Sequence, residues 1–128
     1  MKNLTVVLEN RPGALAAACD AIGHAGINIE GLVCFASQGI AILYVAVEDG
    51  AGARRALSHV GLKVSEEREV AVTDVEDKPG ELAHVLRGLG DAGINVELAY
   101  LASGPRVIVG ADDLDAARSI LTLQAAAR

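Results

Sequence analysis

The sequence predicts an α+β fold: two ferredoxin-like β-α-β-β-α-β repeats side by side, each an antiparallel sheet with its helices on one face. Three observations predict it. First, the chain repeats itself. Asn10-Arg11-Pro12-Gly13-Ala14-Leu15-Ala16 returns as Asp77-Lys78-Pro79-Gly80-Glu81-Leu82-Ala83, and Ala25-Gly26-Ile27-Asn28-Ile29-Glu30 returns as Ala92-Gly93-Ile94-Asn95-Val96-Glu97, both at a spacing of 67 residues. Between positions 10 and 30, ten of the 21 pairs are identical, which marks an internal duplication. Second, apolar residues in each copy alternate, then recur at helical spacing, then alternate again. Third, 128 residues that are 52% apolar and 22% charged can bury a core as one ordinary domain or two very small ones.

In the first copy, taken as residues 1–66, Leu4, Val6 and Leu8 alternate with Thr5, Val7 and Glu9 as a strand. Pro12 suits the first turn of a helix, where its missing N–H costs nothing, and Leu15, Ala18, Cys19 and Ile22 form that helix's apolar face. Gly26 stands where the helix would be capped. Residues 27–36 and 40–47 read as two strands joined by the turn Ser37-Gln38-Gly39. A helix over 50–59 and a short strand over 62–65 complete the unit, and Glu66-Glu67-Arg68-Glu69 joins the copies. The second copy, residues 67–128, predicts strand 69–76, helix 79–92, strand 94–102, turn 103–105, strand 106–111 and helix 112–121. An alanine tail follows, so the last strand of this copy is short or missing.

Composition excludes several classes of function. Seventeen acidic residues against 11 basic ones give a net charge of −6, which argues against nucleic-acid or anionic-membrane partners. Phe35, Tyr44 and Tyr100 are the only aromatic residues, too few for a base-stacking platform. No apolar stretch reaches the ~18 residues of a membrane helix, and the N-terminus lacks a signal-peptide pattern, so a cytoplasmic protein is expected. Cys19 and Cys34 make no disulfide framework, and neither has the neighbouring base of a nucleophile. His24, His59 and His84 have no metal-ligand spacing, so no metal is expected. Gly88-Leu89-Gly90-Asp91-Ala92-Gly93 matches a dinucleotide fingerprint literally, but it ends a helix and precedes a strand. The cofactor motif needs the reverse order, so no cofactor is expected. With no catalytic constellation repeated between the copies, the chain reads as a non-enzyme.

The repeated loop does have chemistry suited to a ligand. A helix N-terminus offers unsatisfied N–H groups and about half a positive charge to a carboxylate. Gly13 lets a ligand approach the backbone, Pro12 fixes the turn, and Asn10 can accept from an ammonium group and donate to a carboxylate. The structural alternative is that Pro12-Gly13 and Pro79-Gly80 are only good helix starts, with Asn28 and Asn95 capping turns.

These segments, Glu9 to Leu15 with Ala25 to Ile29 and again Asp77 to Glu97, resemble the ACT domain. The whole arrangement resembles small stand-alone proteins with two ACT domains in tandem. That resemblance implies binding of a small molecule, usually an amino acid, where the two repeats meet. One site would join Asn10, Arg11, Pro12, Gly13, Ala14 and Leu15 with Asn95. Its twin would join Asp77, Lys78, Pro79, Gly80, Glu81 and Leu82 with Asn28. Serine-binding versions of the motif have a His two residues before the loop Asn, where this chain has Leu8 and Val75, so an apolar ligand side chain is expected. Asp77 replaces the loop Asn in the second copy and would repel a carboxylate, which predicts that the Asn10 loop binds better.

Ile40 to Val47 is apolar on both faces, although helices can cover only one. A homodimer that covers the other face is therefore expected. The functional expectation is a regulatory or sensor module acting on a separate protein. The alternative is a ligand-free interaction module that docks onto a separate enzyme subunit.

Overall fold

The computed structural model describes residues 1–127 and divides into two compact units, Met1–Arg68 and a second beginning at Glu69. Each is an α+β assembly of an antiparallel sheet with two helices.

The first unit contains β1 (Lys2–Glu9), α1 (Ala14–His24), β2 (Gly31–Ser37), β3 (Ile40–Val47), α2 (Gly50–His59) and β4 (Val64–Glu69). Its sheet order is β2-β3-β1-β4. Leu4 lies opposite Val45 and Val6 opposite Leu43, so alternate residues of two central strands share one face. That face meets Ala14, Ala18 and Ile22 of α1 and Ala53 and Leu57 of α2 in one core. The apolar stripe of α1 is thus centred on residues 14, 18 and 22, with Leu15 and Ala21 on its flanks. Cys19, expected in the core, is only half-buried because it lies off that centre line.

The second unit contains β5 (Ala71–Asp74), α3 (Glu81–Asp91), β6 (Val96–Ala102), β7 (Arg106–Ala111) and α4 (Leu114–Ala126). Its sheet has three strands in the order β5-β7-β6. Val85 and Leu89 of α3 and Ala117 and Leu121 of α4 pack with Val107 and Val109. These α3 residues occupy the repeat positions of Ala18 and Ile22, so the sequence repeat is also a repeat of core positions. Among the described residues no strand follows α4.

The main differences from the sequence reading have one physical cause. Gly26, Gly61 and Gly93 adopt φ of +77°, +78° and +76° just after their helices. The following N–H of Ile27 donates to the Ile22 carbonyl, that of Leu62 to Leu57 and that of Ile94 to Leu89. This 6→1 closure uses the amide that would have opened the next strand. Consequently β2 starts at Gly31 rather than 27, β4 at Val64 rather than 62, and β6 at Val96 rather than 94. Glu66 to Glu69, read as a junction, continue β4. The alanine tail extends α4 to Ala126, as expected from the best helix former. Ser37 pairs with Ile40, leaving a two-residue turn in which Gln38 and Gly39 both have positive φ. No helix among the described residues is long and apolar enough to cross a membrane.

Candidate functional site

The site begins where β1 ends. The Arg11 N–H donates to the Glu9 carbonyl at 3.0 Å and the Ala14 N–H to the Arg11 carbonyl at 3.3 Å, folding residues 9–14 into a tight turn. Gly13 precedes α1 with φ +84°. A Cβ there would meet nothing within 4 Å, so glycine is required by the backbone angle, and the space above it is open. No side chain caps α1, and its first turn contains no acid. The second helix of the unit behaves differently: the Gly52 N–H donates to Asp49 Oδ1 at 2.9 Å. Thus α1 starts without a side-chain acceptor for its N-terminal amides, while α2 satisfies one with a carboxylate.

Beside this turn lies a cavity of about 230 Å³. Leu8, Ala14, Leu15 and Ala41 supply apolar walls, Cys34 and Phe35 come from β2, and Asn10 and Arg11 lie at the rim. Arg11 is held by Glu9, with Nε donating to Oε2 at 2.7 Å. The Asn10 amide is exposed and has no hydrogen-bond partner among the described residues. The cavity is smaller than the roughly 300–1,000 Å³ of drug-sized sites.

The second unit repeats the backbone. The Lys78 N–H donates to the Glu76 carbonyl at 3.0 Å, the Glu81 N–H to the Lys78 carbonyl at 3.3 Å, and Gly80 has φ +87°. Its charges differ. Lys78 Nζ lies 3.1 Å from Glu76 and 4.0 Å from Glu81, and Glu81 stands in the first turn of α3. The hydrogen bond and charge of Glu76, then the charge of Glu81, raise the Lys78 pKa. Asp77, Pro79 and Gly80 are exposed and Leu82 packs against the core. In this unit too the second helix is capped, by Asp113 Oδ1 accepting from the Ala116 N–H at 3.1 Å.

Asn28 lies beyond the other end of α1, so the first unit does not bring it to the Asn10 loop. Its Nδ2 donates to Glu30 Oε2 at 2.7 Å, beside Glu48 and Asp49. Asn95 is exposed, and its N–H donates to Asp112 Oδ1 at 3.1 Å. Of the glycines in the literal fingerprint match, Gly88 is pressed against Gln124 of α4, whereas Gly90 faces open space.

Sequence reasoning missed a larger cleft, about 530 Å³, between the C-terminal parts of α1 and α2. It is lined by Ala17, Asp20, Ala21, His24, Ala56 and His59, and His24 Nδ1 lies 2.7 Å from the Asp20 carbonyl. The signal available was the set of small residues on both helices. No group of three or more His, Cys, Asp or Glu that could hold a metal occurs among the described residues.

The ACT domain model matches residues 2–60. No curated protein sequence matches the chain. Among solved structures, a protein from Bacteroides thetaiotaomicron is similar over 96% of this chain and 87% of its own, with 26% identity and a TM-score of 0.82. The ligand-free regulatory subunit of aspartate kinase from Thermus thermophilus is similar over 95% of this chain and 90% of its own, with 18% identity and a TM-score of 0.72. Aspartate kinase from Synechocystis matches 95% of this chain with a quarter (25%) of its own length, at 18% identity and a TM-score of 0.61. Residues 2–60 therefore match an ACT domain, and the chain as a whole has the α+β fold of these structures.

Proposed function

We propose that this chain is a non-catalytic regulatory module that binds a small amino acid with an apolar side chain at the Asn10–Leu15 loop. The observation that carries the reading is the conjunction of an uncapped α1 N-terminus, an unpartnered Asn10 amide and an apolar cavity beside them. A ligand carboxylate would take the amides of the first turn of α1 that no side chain caps, its ammonium group the Asn10 side-chain oxygen, and its side chain the space between Leu8, Leu15 and Cys34. Binding would favour one arrangement of the loop and so change what a separate partner protein meets. The fold shared with aspartate kinase regulatory subunits supports an output through another polypeptide.

The helix-free sheet face of the first unit supports self-association. Val7, Phe35 and Ile40 are 44%, 44% and 40% exposed, and Phe35 packs against Tyr44 with ring centroids 6.0 Å apart. The expected assembly is a homodimer that buries this patch. The same patch favours the second reading, a ligand-free module that docks onto an enzyme subunit.

A thermal-shift screen against the twenty amino acids at about millimolar concentration tests the main reading. A ligand at 100 times its Kd stabilises by about 2.7 kcal/mol. We expect aliphatic amino acids to raise the midpoint and Asn10→Ala to abolish the rise; no response to any amino acid overturns the reading. Sedimentation equilibrium tests the dimer, and a monomer at micromolar concentration refutes it.

A further inference from the structure

The chain has two cysteines, and both belong to the first unit. Their repeat counterparts, 67 residues on, are Leu86 and Leu101, so an apolar pair in one copy is a thiol pair in the other. On β2, Cys34 lies opposite the buried Leu43, which turns its side chain toward the helices, and it packs against the core. It shares the loop cavity with Leu15 of α1. Cys19 follows Leu15 by four residues, one turn along the same side of that helix. The α1 residues buried on the sheet next to these positions, Ala14 and Ala18, are small. Both thiols are only partly buried, within reach of a small oxidant. Burial first, then the charges of Asp20 and Cys34, push the Cys19 thiol up.

We propose that Cys19 and Cys34 are a redox-responsive thiol pair whose disulfide ties α1 to the edge strand β2 beside the loop cavity. The oxidant is a peroxide. One thiol gives up its proton and, as thiolate, takes an oxygen from hydrogen peroxide: the O–O bond breaks, a sulfenic acid forms, and the departing hydroxide takes up that proton and leaves as water. The second sulfur attacks the first, the S–O bond breaks and a second water leaves, so two sulfurs lose two electrons and peroxide gains them. The cross-link forms whichever of the two sulfurs is oxidised first. Any effect on ligand binding rests on the amino-acid reading above, whereas the cross-link is measured without amino acid, so the two fail separately.

The test is intact mass spectrometry of the whole chain after hydrogen peroxide, under denaturing, non-reducing conditions, with peptide mapping. The expected product is a monomer lacking the two thiol hydrogens, with a cross-linked Cys19–Cys34 peptide, restored by dithiothreitol. Its unfolding midpoint rises by about 5 °C or more, because the link closes a loop of about 15 residues. Cys19→Ser and Cys34→Ser each lose the cross-linked species. Two thiols still free after treatment, oxidation that stops at a sulfenic or sulfinic acid, or disulfides only between chains would each overturn the proposal.

Discussion

The loop leading into α1 and the loop leading into α3 follow one backbone path and offer different chemistry. Gly13 and Gly80 differ by three degrees in φ, 84° against 87°, and both helices start without a side-chain cap. The hydrogen bonds that close the two turns join equivalent atoms. Around this shared frame, the first loop has a neutral Asn10 and no acid in the first helical turn. The second has Asp77, Glu81 and a lysine held between two glutamates. Pro-Gly sets the shape, while the flanking side chains decide whether the open amides face a neutral or an acidic rim. Duplication has therefore kept the geometry of the Pro-Gly turn in both units and a first helical turn free of acid in only one.

The largest expected effects test whether the cores are equivalent. Ile22→Ala and Leu89→Ala remove the same repeat position from each core, and each should cost about 2–5 kcal/mol in urea unfolding. Hydrogen exchange should show lost protection in β1 and β3 for the first variant and in β5 and β7 for the second. Loss of protection in the opposite unit alone would break the equivalence.

Exchanging the loop charges sharpens the comparison. Asn10→Asp should weaken amino-acid binding in calorimetry by about tenfold, or about 1.4 kcal/mol, and Asp77→Asn should strengthen the weaker site. Equal affinities in the unmodified protein would remove the electrostatic distinction. The backbone half of the argument predicts a matched pair. Gly13→Ala and Gly80→Ala should each cost about 1–2 kcal/mol, because alanine is strained at positive φ even where its Cβ has room. Costs differing by more than that range would mean that the two turns are not the same device.

The smallest effect is confined to the second unit. Burial pushes the Tyr100 phenol well above the ordinary tyrosine range. The unfolded chain then releases this proton first, so stability falls as pH rises past about 10, the unfolded value. The expected loss is below about 1 kcal/mol at pH 10.5, and Tyr100→Phe should remove it. An unfolding free energy that stays flat with pH in the unmodified protein would contradict this.

Much of the fold was legible because duplication supplies its own control. A Pro-Gly, a glycine 13 residues later and an alternating apolar stretch, each occurring twice, have one shared structural meaning, and the helices at 50–59 and strands at 40–47 and 106–111 follow it. Strand starts after helices were less legible. Whether Ile27, Leu62 and Ile94 give their N–H groups to a helix end or to a sheet depends on the competing partner. The loop residues of the candidate site were legible from Asn10 to Leu15. The contributions of Cys34, Phe35 and Ala41 were not, since they arrive through β2 and β3 from more than 15 positions away.

By itself, the sequence determined the repeat, the helix punctuation, the strand periodicity and the difference in charge between the two loops. These are local properties, set by backbone angles, side-chain spacing and residue type over a few positions. Only the tertiary structure decided that α1 is centred on Ala14, Ala18 and Ile22, that the Asn10 loop borders a walled cavity, and that Cys34 faces the helix that carries Cys19. Each of those depends on which face of β2 and β3 meets α1, and that is settled by packing between segments distant in the chain.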